Sequence, residues 1–187
     1  YEFNADEDDA RKYYTKLATD FPDTAPGRKA AGALKRLDLV GKSFDLKATD
    51  LEGQKIDATA YRGKILAVVF WAAWAEPARR DVPELAKLYQ KYHSKGLEMI
   101  GINLDAEKDT LEKIISSDGV NWPQVHEAGG MDGKLANDYG IISLPTMVLV
   151  DPQGKVISRT IRLASELEKT LEKALANRPP GVALDNR

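Results

Sequence analysis

The sequence predicts a three-layer α/β sandwich with a mixed central sheet, preceded by a helical hairpin. Three observations carry that expectation. The longest apolar run, Ile65 to Trp74, falls well short of the roughly 20 residues that span a bilayer and suits a buried strand. A second strand, Leu97 to Leu104, follows a long amphipathic segment, and its continuous apolar centre implies a sheet covered on both faces. Two further strand patterns flank the turn Asp151-Pro152-Gln153-Gly154 ahead of a closing helix. Strand, helix, strand, helix, hairpin and helix is the order expected when helices pack on both faces of one sheet.

Residues 1–40 read as a helical segment. Asp6 to Asp9 place negative charge where a helix N-terminus stabilises it. Tyr13, Tyr14, Leu17 and Ala18 follow at helical spacing, and Phe21-Pro22-Asp23 ends the helix. A second helix is expected over 27–37, with Ala30, Ala31, Leu34 and Leu37 on one face. This stretch resembles the end of a tetratricopeptide-type repeat, but a single unit cannot form a solenoid, so a hairpin packed on the main domain is expected. The main domain is expected over 41–176. It opens with a strand at 43–48, the turn Asp50-Leu51-Glu52-Gly53 and a return strand at 54–56. After the buried strand 65–71, a helix at 77–94 carries Val82, Leu85, Leu88, Tyr89 and Tyr92 on its buried side. Helices at 110–117 and 133–139, strands at 146–150 and 155–161, and a helix at 165–176 complete the domain. Residues 177–187 read as a loose tail.

The composition, 43% hydrophobic and 30% charged over 187 residues, is that of a globular chain. A net charge of −2 offers nothing to attract nucleic acid or an anionic membrane surface. The chain opens on Tyr1 and carries no signal segment, as expected of a fragment or mature form. The absence of cysteine removes disulfides and thiolate metal sites, and with no metal-ligand spacing and no Gly-rich phosphate loop, neither metal nor cofactor is expected.

The right-handed crossover rule places Ala75-Glu76-Pro77-Ala78 at the carboxyl end of a central strand, where open α/β sheets keep their sites. A helix N-terminus there stabilises negative charge and lowers the pKa of a cysteine. A second cysteine three residues on would resolve a mixed disulfide, and Pro77 suits the first helical turn. In this sequence both reactive positions, 75 and 78, are alanine.

The segment FWAAWAEPARRDVPEL resembles the active-site segment of thioredoxin-like thiol–disulfide oxidoreductases of the TlpA/ResA type, within the redoxin, AhpC/TSA-like group. That segment typically runs Phe-Trp-Ala-(Thr/Ser)-Trp-Cys-x-Pro-Cys. The resemblance extends from Gly41 to Ala176 through Tyr61 to Lys64, Ile100 to Asp105, Tyr139-Gly140-Ile141, Leu144-Pro145-Thr146 and Asp151 to Gly154. It implies a cis peptide bond at Leu144–Pro145, facing a groove where an extended peptide pairs beside the turn. It implies that Trp74, Leu144, Pro145 and Thr146 border that groove. It further implies support of the former reactive positions by Glu76, Pro77 and Asp81, with Asp81 tuning thiol pKa values, and an extracytoplasmic location. Val69 stands where many thioredoxins keep a buried aspartate.

Plainer readings stand beside these. Trp71 reads as core or as site, Asp81 as a first-turn helix acid, Glu76 as an exposed helix start, and Arg79 as surface or groove lining. His93 reads as exposed, and His126 as near the groove. Two functions remain open. One is a degenerate, redox-inactive domain that binds extended polypeptide or acts as a scaffold. The other is a thiol–disulfide oxidoreductase whose two cysteines have been replaced by alanine.

Overall fold

The computed structural model describes residues 6–177, so the expected tail, Asn177 apart, lies outside the described residues. Helix α1 (Glu7–Asp20) is capped by the Asp6 carboxylate, which accepts from the Asp9 N–H at 3.2 Å. Helix α2 (Ala25–Leu37) starts two residues earlier than expected. The Thr24 hydroxyl accepts from the Gly27 N–H at 3.1 Å, and Pro26 sits where its missing N–H is harmless.

The hairpin is fastened to the rest of the molecule. Gly32 lies so close to the helix α5 (Lys134–Asp138) that a Cβ there would stand 1.7 Å from the Asn137 carbonyl oxygen. Arg36, buried, donates to the Gly140 carbonyl at 3.1 Å, and Arg159 donates to both Leu37 O and Glu7 Oε2. Desolvation alone would raise the Glu7 carboxyl, but hydrogen bonds and charge from Arg11 and Arg159 outweigh it and hold it below the ordinary glutamate range. Because the obstacle at Gly32 is backbone, Gly32→Ala is expected to cost about 3 kcal/mol in a denaturant titration. A loss under about 1 kcal/mol would mean the hairpin docks elsewhere.

Five strands form the main sheet, in the order 124–126, 97–103, 65–71, 146–150 and 156–161. The strand β3 (Ile65–Trp71) is central and buried along its whole length, as the unbroken apolar run requires. It pairs in parallel with β4 (Leu97–Asn103) and antiparallel with β6 (Thr146–Val150), and β7 (Val156–Ile161) lies outside β6. Helices α3 (Glu76–Tyr92), α4 (Lys108–Asp118) and α6 (Ala164–Ala176) complete the layers. Val82, Leu85, Leu88, Tyr89 and Tyr92 are the buried stripe of α3, and α3 stops short of the expected 94 in a 3-10 turn closed by Gly96.

Two strand expectations are corrected. The strand β1 (Lys47–Thr49), paired with β2 (Lys55–Asp57), is shorter than 43–48. Phe44 and Leu46 do point into the core, but the backbone ahead of them is drawn to the start of β7: Gly41 N–H donates to Val156 O, and Phe44 N–H to Gly154 O. The strand β5 (Gln124–His126) was not expected. Its pattern is too short and polar to read alone, and it exists through pairing with β4 and through the Leu51 N–H donating to Gln124 O.

Candidate functional site: the turn at the end of β3

β3 delivers its C-terminal end to a turn from which α3 starts. Ala75 is the N-cap of α3, with extended backbone and no side-chain hydrogen bond to the helix. Its carbonyl accepts from the Arg79 N–H at 2.9 Å, and its N–H donates to Ala72 O at 3.2 Å. Alanine is a poor N-cap because it offers no acceptor to the open N–H groups of the first turn. The helix N-terminus therefore retains its capacity to stabilise an anion while the residue there carries none. Ala78, one turn on, is sealed at 1% exposure, and Ala75 is nearly so at 7%. Glu76 and Pro77 between them face solvent, as does Trp74, at 62%.

The loop before the turn is held from below. The Asp105 carboxylate, buried beyond the end of β4, accepts the Ala73 N–H with both oxygens, at 3.0 and 2.9 Å. Asn103 Nδ2 donates to the same carboxylate at 2.7 Å, and the Asp105 N–H donates back to Asn103 Oδ1. His126 approaches from β5, its Nε2 2.8 Å from the Asp105 carbonyl oxygen. Trp71 is core: its Nε1 donates to Gln124 Oε1 at 3.1 Å, and the Gln124 amide fills the space where Gly101 has no Cβ. Residue-by-residue reading passed over Asn103, Asp105 and Gln124. The available signal was two polar residues closing an apolar strand, together with a glycine inside it.

The pairing of Phe70 with Thr146 brings the loop before β6 beside the turn. The Leu144–Pro145 peptide bond is cis, Pro145 and Thr146 are buried, and Leu144 is half-buried. The Thr146 hydroxyl donates to Ser143 O at 2.8 Å. Among the described residues, the main-chain N–H and C=O of Leu144 have no hydrogen-bond partner.

Asp81 is placed differently from its plain reading. Asp81 is the sixth residue of α3, beyond its first turn, and its Oδ2 accepts from the Ala164 N–H at 2.9 Å. It thus caps α6, whose own N-cap, Leu163, offers no side-chain acceptor. Arg79 points to α4, where it pairs with Asp118. A shallow groove of about 370 Å³ runs from Asp81 and Leu163 between α3 and α6 toward Lys91 and Glu168. Among the described residues, no group of three or more His, Cys, Asp or Glu is placed to hold a metal ion.

This geometry has known counterparts. The model of the AhpC/TSA family matches residues 40–159. The chain belongs to the AhpC/TSA family. Within it, the chain is 30% identical over 141 residues to the thiol-disulfide oxidoreductase ResA of Bacillus thuringiensis subsp. konkukian, covering 74% of this chain and 80% of that protein. It is 33% identical over 127 residues to ResA of Bacillus anthracis, covering 67% and 72% of the two chains. Among solved structures, the thioredoxin domain of a thiol-disulfide oxidoreductase from Bacteroides vulgatus superposes with a TM-score of 0.63 at 29% identity, over 72% of this chain and 96% of that one. A thiol-disulfide oxidoreductase from Bacteroides fragilis gives a TM-score of 0.62 at 32% identity, over 71% and 98%. This AhpC/TSA member thus has a thioredoxin-like fold, yet it contains no cysteine. A methyl group cannot become a thiolate, so neither Ala75 nor Ala78 offers a thiol nucleophile.

Proposed function

We propose that this chain is a redox-silent, ResA-like domain that binds extended polypeptide in the groove between the Ala75–Ala78 turn and the Pro145 loop. The reading is supported by the main chain of Leu144, which has no hydrogen-bond partner among the described residues, in the loop that Phe70–Thr146 pairing brings near the end of β3, and by the exposed Trp74 in the turn that follows β3. A free N–H and C=O suit the addition of a peptide strand, and an exposed tryptophan supplies apolar contact for its side chains. Thr146 secures the loop, and Leu144 and Pro145 form its face toward the peptide. A protein or peptide partner, with neither nucleic acid nor a cofactor, belongs to the same proposal. So does an extracytoplasmic location, supported by the family resemblance; no described helix is long and apolar enough to cross a membrane.

The test is the affinity of a short, capped, apolar peptide, followed by backbone amide shifts. Trp74→Ala is expected to weaken binding about tenfold or more, as for a central aromatic anchor. Shifts confined to residues away from 72–78 and 143–146, or an unchanged affinity, would sink the reading.

A second reading, an oxidoreductase whose two cysteines stand replaced by alanine, is favoured by the intact surroundings of the turn, with Pro77 in the first turn of α3 and Asp105 holding Ala73. Cysteine codons at 75 and 78 in the source gene would establish it, and alanine codons would end it.

A further inference from the structure

The connection from β7 to α6 ties the Pro145 loop to α3. On one side, Arg162 Nη1 donates to the Pro145 carbonyl at 2.8 Å and lies 3.4 Å from Thr146 Oγ1, while Nη2 donates to the Ser143 hydroxyl. On the other side, two residues along, the Ala164 N–H donates to Asp81 of α3. The Arg162 N–H is itself held by Glu166 Oε2 at 2.9 Å, so the junction is tied to the first turn of α6. Leu163, between the two contacts, is 42% exposed.

A guanidinium presents donors in a rigid planar fork, and here that fork grips three groups of one loop, at 143, 145 and 146. It leaves out Leu144, whose main chain has no hydrogen-bond partner among the described residues. The loop is therefore fixed on either side of the residue that a peptide strand would pair with, and its distance from α3 is set through residues 162–164.

We infer that Arg162 is a positioning residue of the peptide groove. It holds Leu144 in register for an extended peptide and presents Leu163 as a flanking apolar contact. This rests on the peptide-groove reading above. Its cost is paid in the free protein: a loop already ordered loses less conformational freedom when the peptide binds.

The experiment separates the two. Ala75→Cys supplies one thiol as a reporter in the turn. A short capped peptide with valine on either side of a cysteine, activated as its 2-pyridyl disulfide, is the probe. The thiolate of residue 75 attacks the peptide sulfur, the peptide–pyridyl S–S bond breaks, and the electron pair leaves on 2-thiopyridone, read by absorbance. The rate should saturate with peptide concentration, whereas 2,2′-dipyridyl disulfide, which has no peptide, should show no saturation.

In that background, Arg162→Ala is expected to raise the half-saturating peptide concentration about tenfold, with the limiting rate changed less than about twofold. Arg162→Lys, which keeps the charge and loses the fork, should fall between. Ser143→Ala, which removes one contact and leaves the arginine, should raise it about threefold and covers the case in which Arg162→Ala unfolds. If the background protein saturates with peptide and these variants keep its half-saturation, the role of Arg162 is overturned and the groove stands. If the background protein shows no saturation with peptide, the groove reading and the role of Arg162 fall together.

Discussion

Cysteine at both 75 and 78 is expected to turn this chain from one with no thiol chemistry into one that closes and opens a disulfide at the turn. Position 75 is the N-cap of α3, with no competing side-chain acceptor and with the open first-turn N–H groups ahead of it. A thiol there is expected to titrate at about 7, below the ordinary 8.5, so at pH 7 the thiolate fraction rises roughly 15-fold over an unperturbed cysteine. Glu76 in the same turn works against this shift and keeps it modest. Positions 75 and 78 are one helical turn apart, within the Cα separation a disulfide accepts. The sulfur at 78 enters a site now 1% exposed, so up to about 1–3 kcal/mol of stability is expected to be lost in the reduced protein. Titration of thiolate absorbance and turnover of a disulfide substrate measure both effects. An ordinary thiol pKa with no turnover would show that the surroundings, as well as the sulfur atoms, have departed from the active form.

Loss of the Asp105 carboxylate is expected to produce the largest destabilisation of any single substitution at the site. It is 6% exposed and is the acceptor for the Ala73 N–H and the Asn103 side-chain amide. Asp105→Ala leaves both donors without it, at about 1–3 kcal/mol for each buried unpaired group, so about 3–4 kcal/mol in total is expected. That is a substantial share of the roughly 5–15 kcal/mol that holds a domain together. Asp105→Asn keeps the shape and one acceptor but turns a donor toward the others, and about half that loss is expected. The denaturant midpoint should fall with an unchanged slope, and the Ala73 amide should exchange faster with solvent. A loss under about 1 kcal/mol for Asp105→Ala would show that the turn is held by packing alone.

Much of the fold was legible because its signals are local. The unbroken apolar run at 65–71 located β3, and the helical spacing of Val82, Leu85, Leu88, Tyr89 and Tyr92 located the buried face of α3. β5 was invisible for the opposite reason, since three residues behind Pro123 become a strand only when β4 offers hydrogen bonds. Asp81 shows the same division within one residue. Its helix was readable, but its partner is a backbone N–H 83 positions away.

The sequence by itself determined which chemistry is absent: alanine at 75 and 78 on a strand–turn–helix is a statement about residue identity, and no packing can supply a sulfur atom. It also determined where the turn lies, because strand and helix periods locate the junction between them. What supports that turn was set by packing between distant elements. Asp105 under Ala73, Arg162 across the 143–146 loop and Asp81 at the start of α6 are contacts between elements far apart in the chain. Such contacts leave no periodic trace, because a single hydrogen bond needs one donor and one acceptor brought within about 3 Å, and chain folding alone selects which two meet.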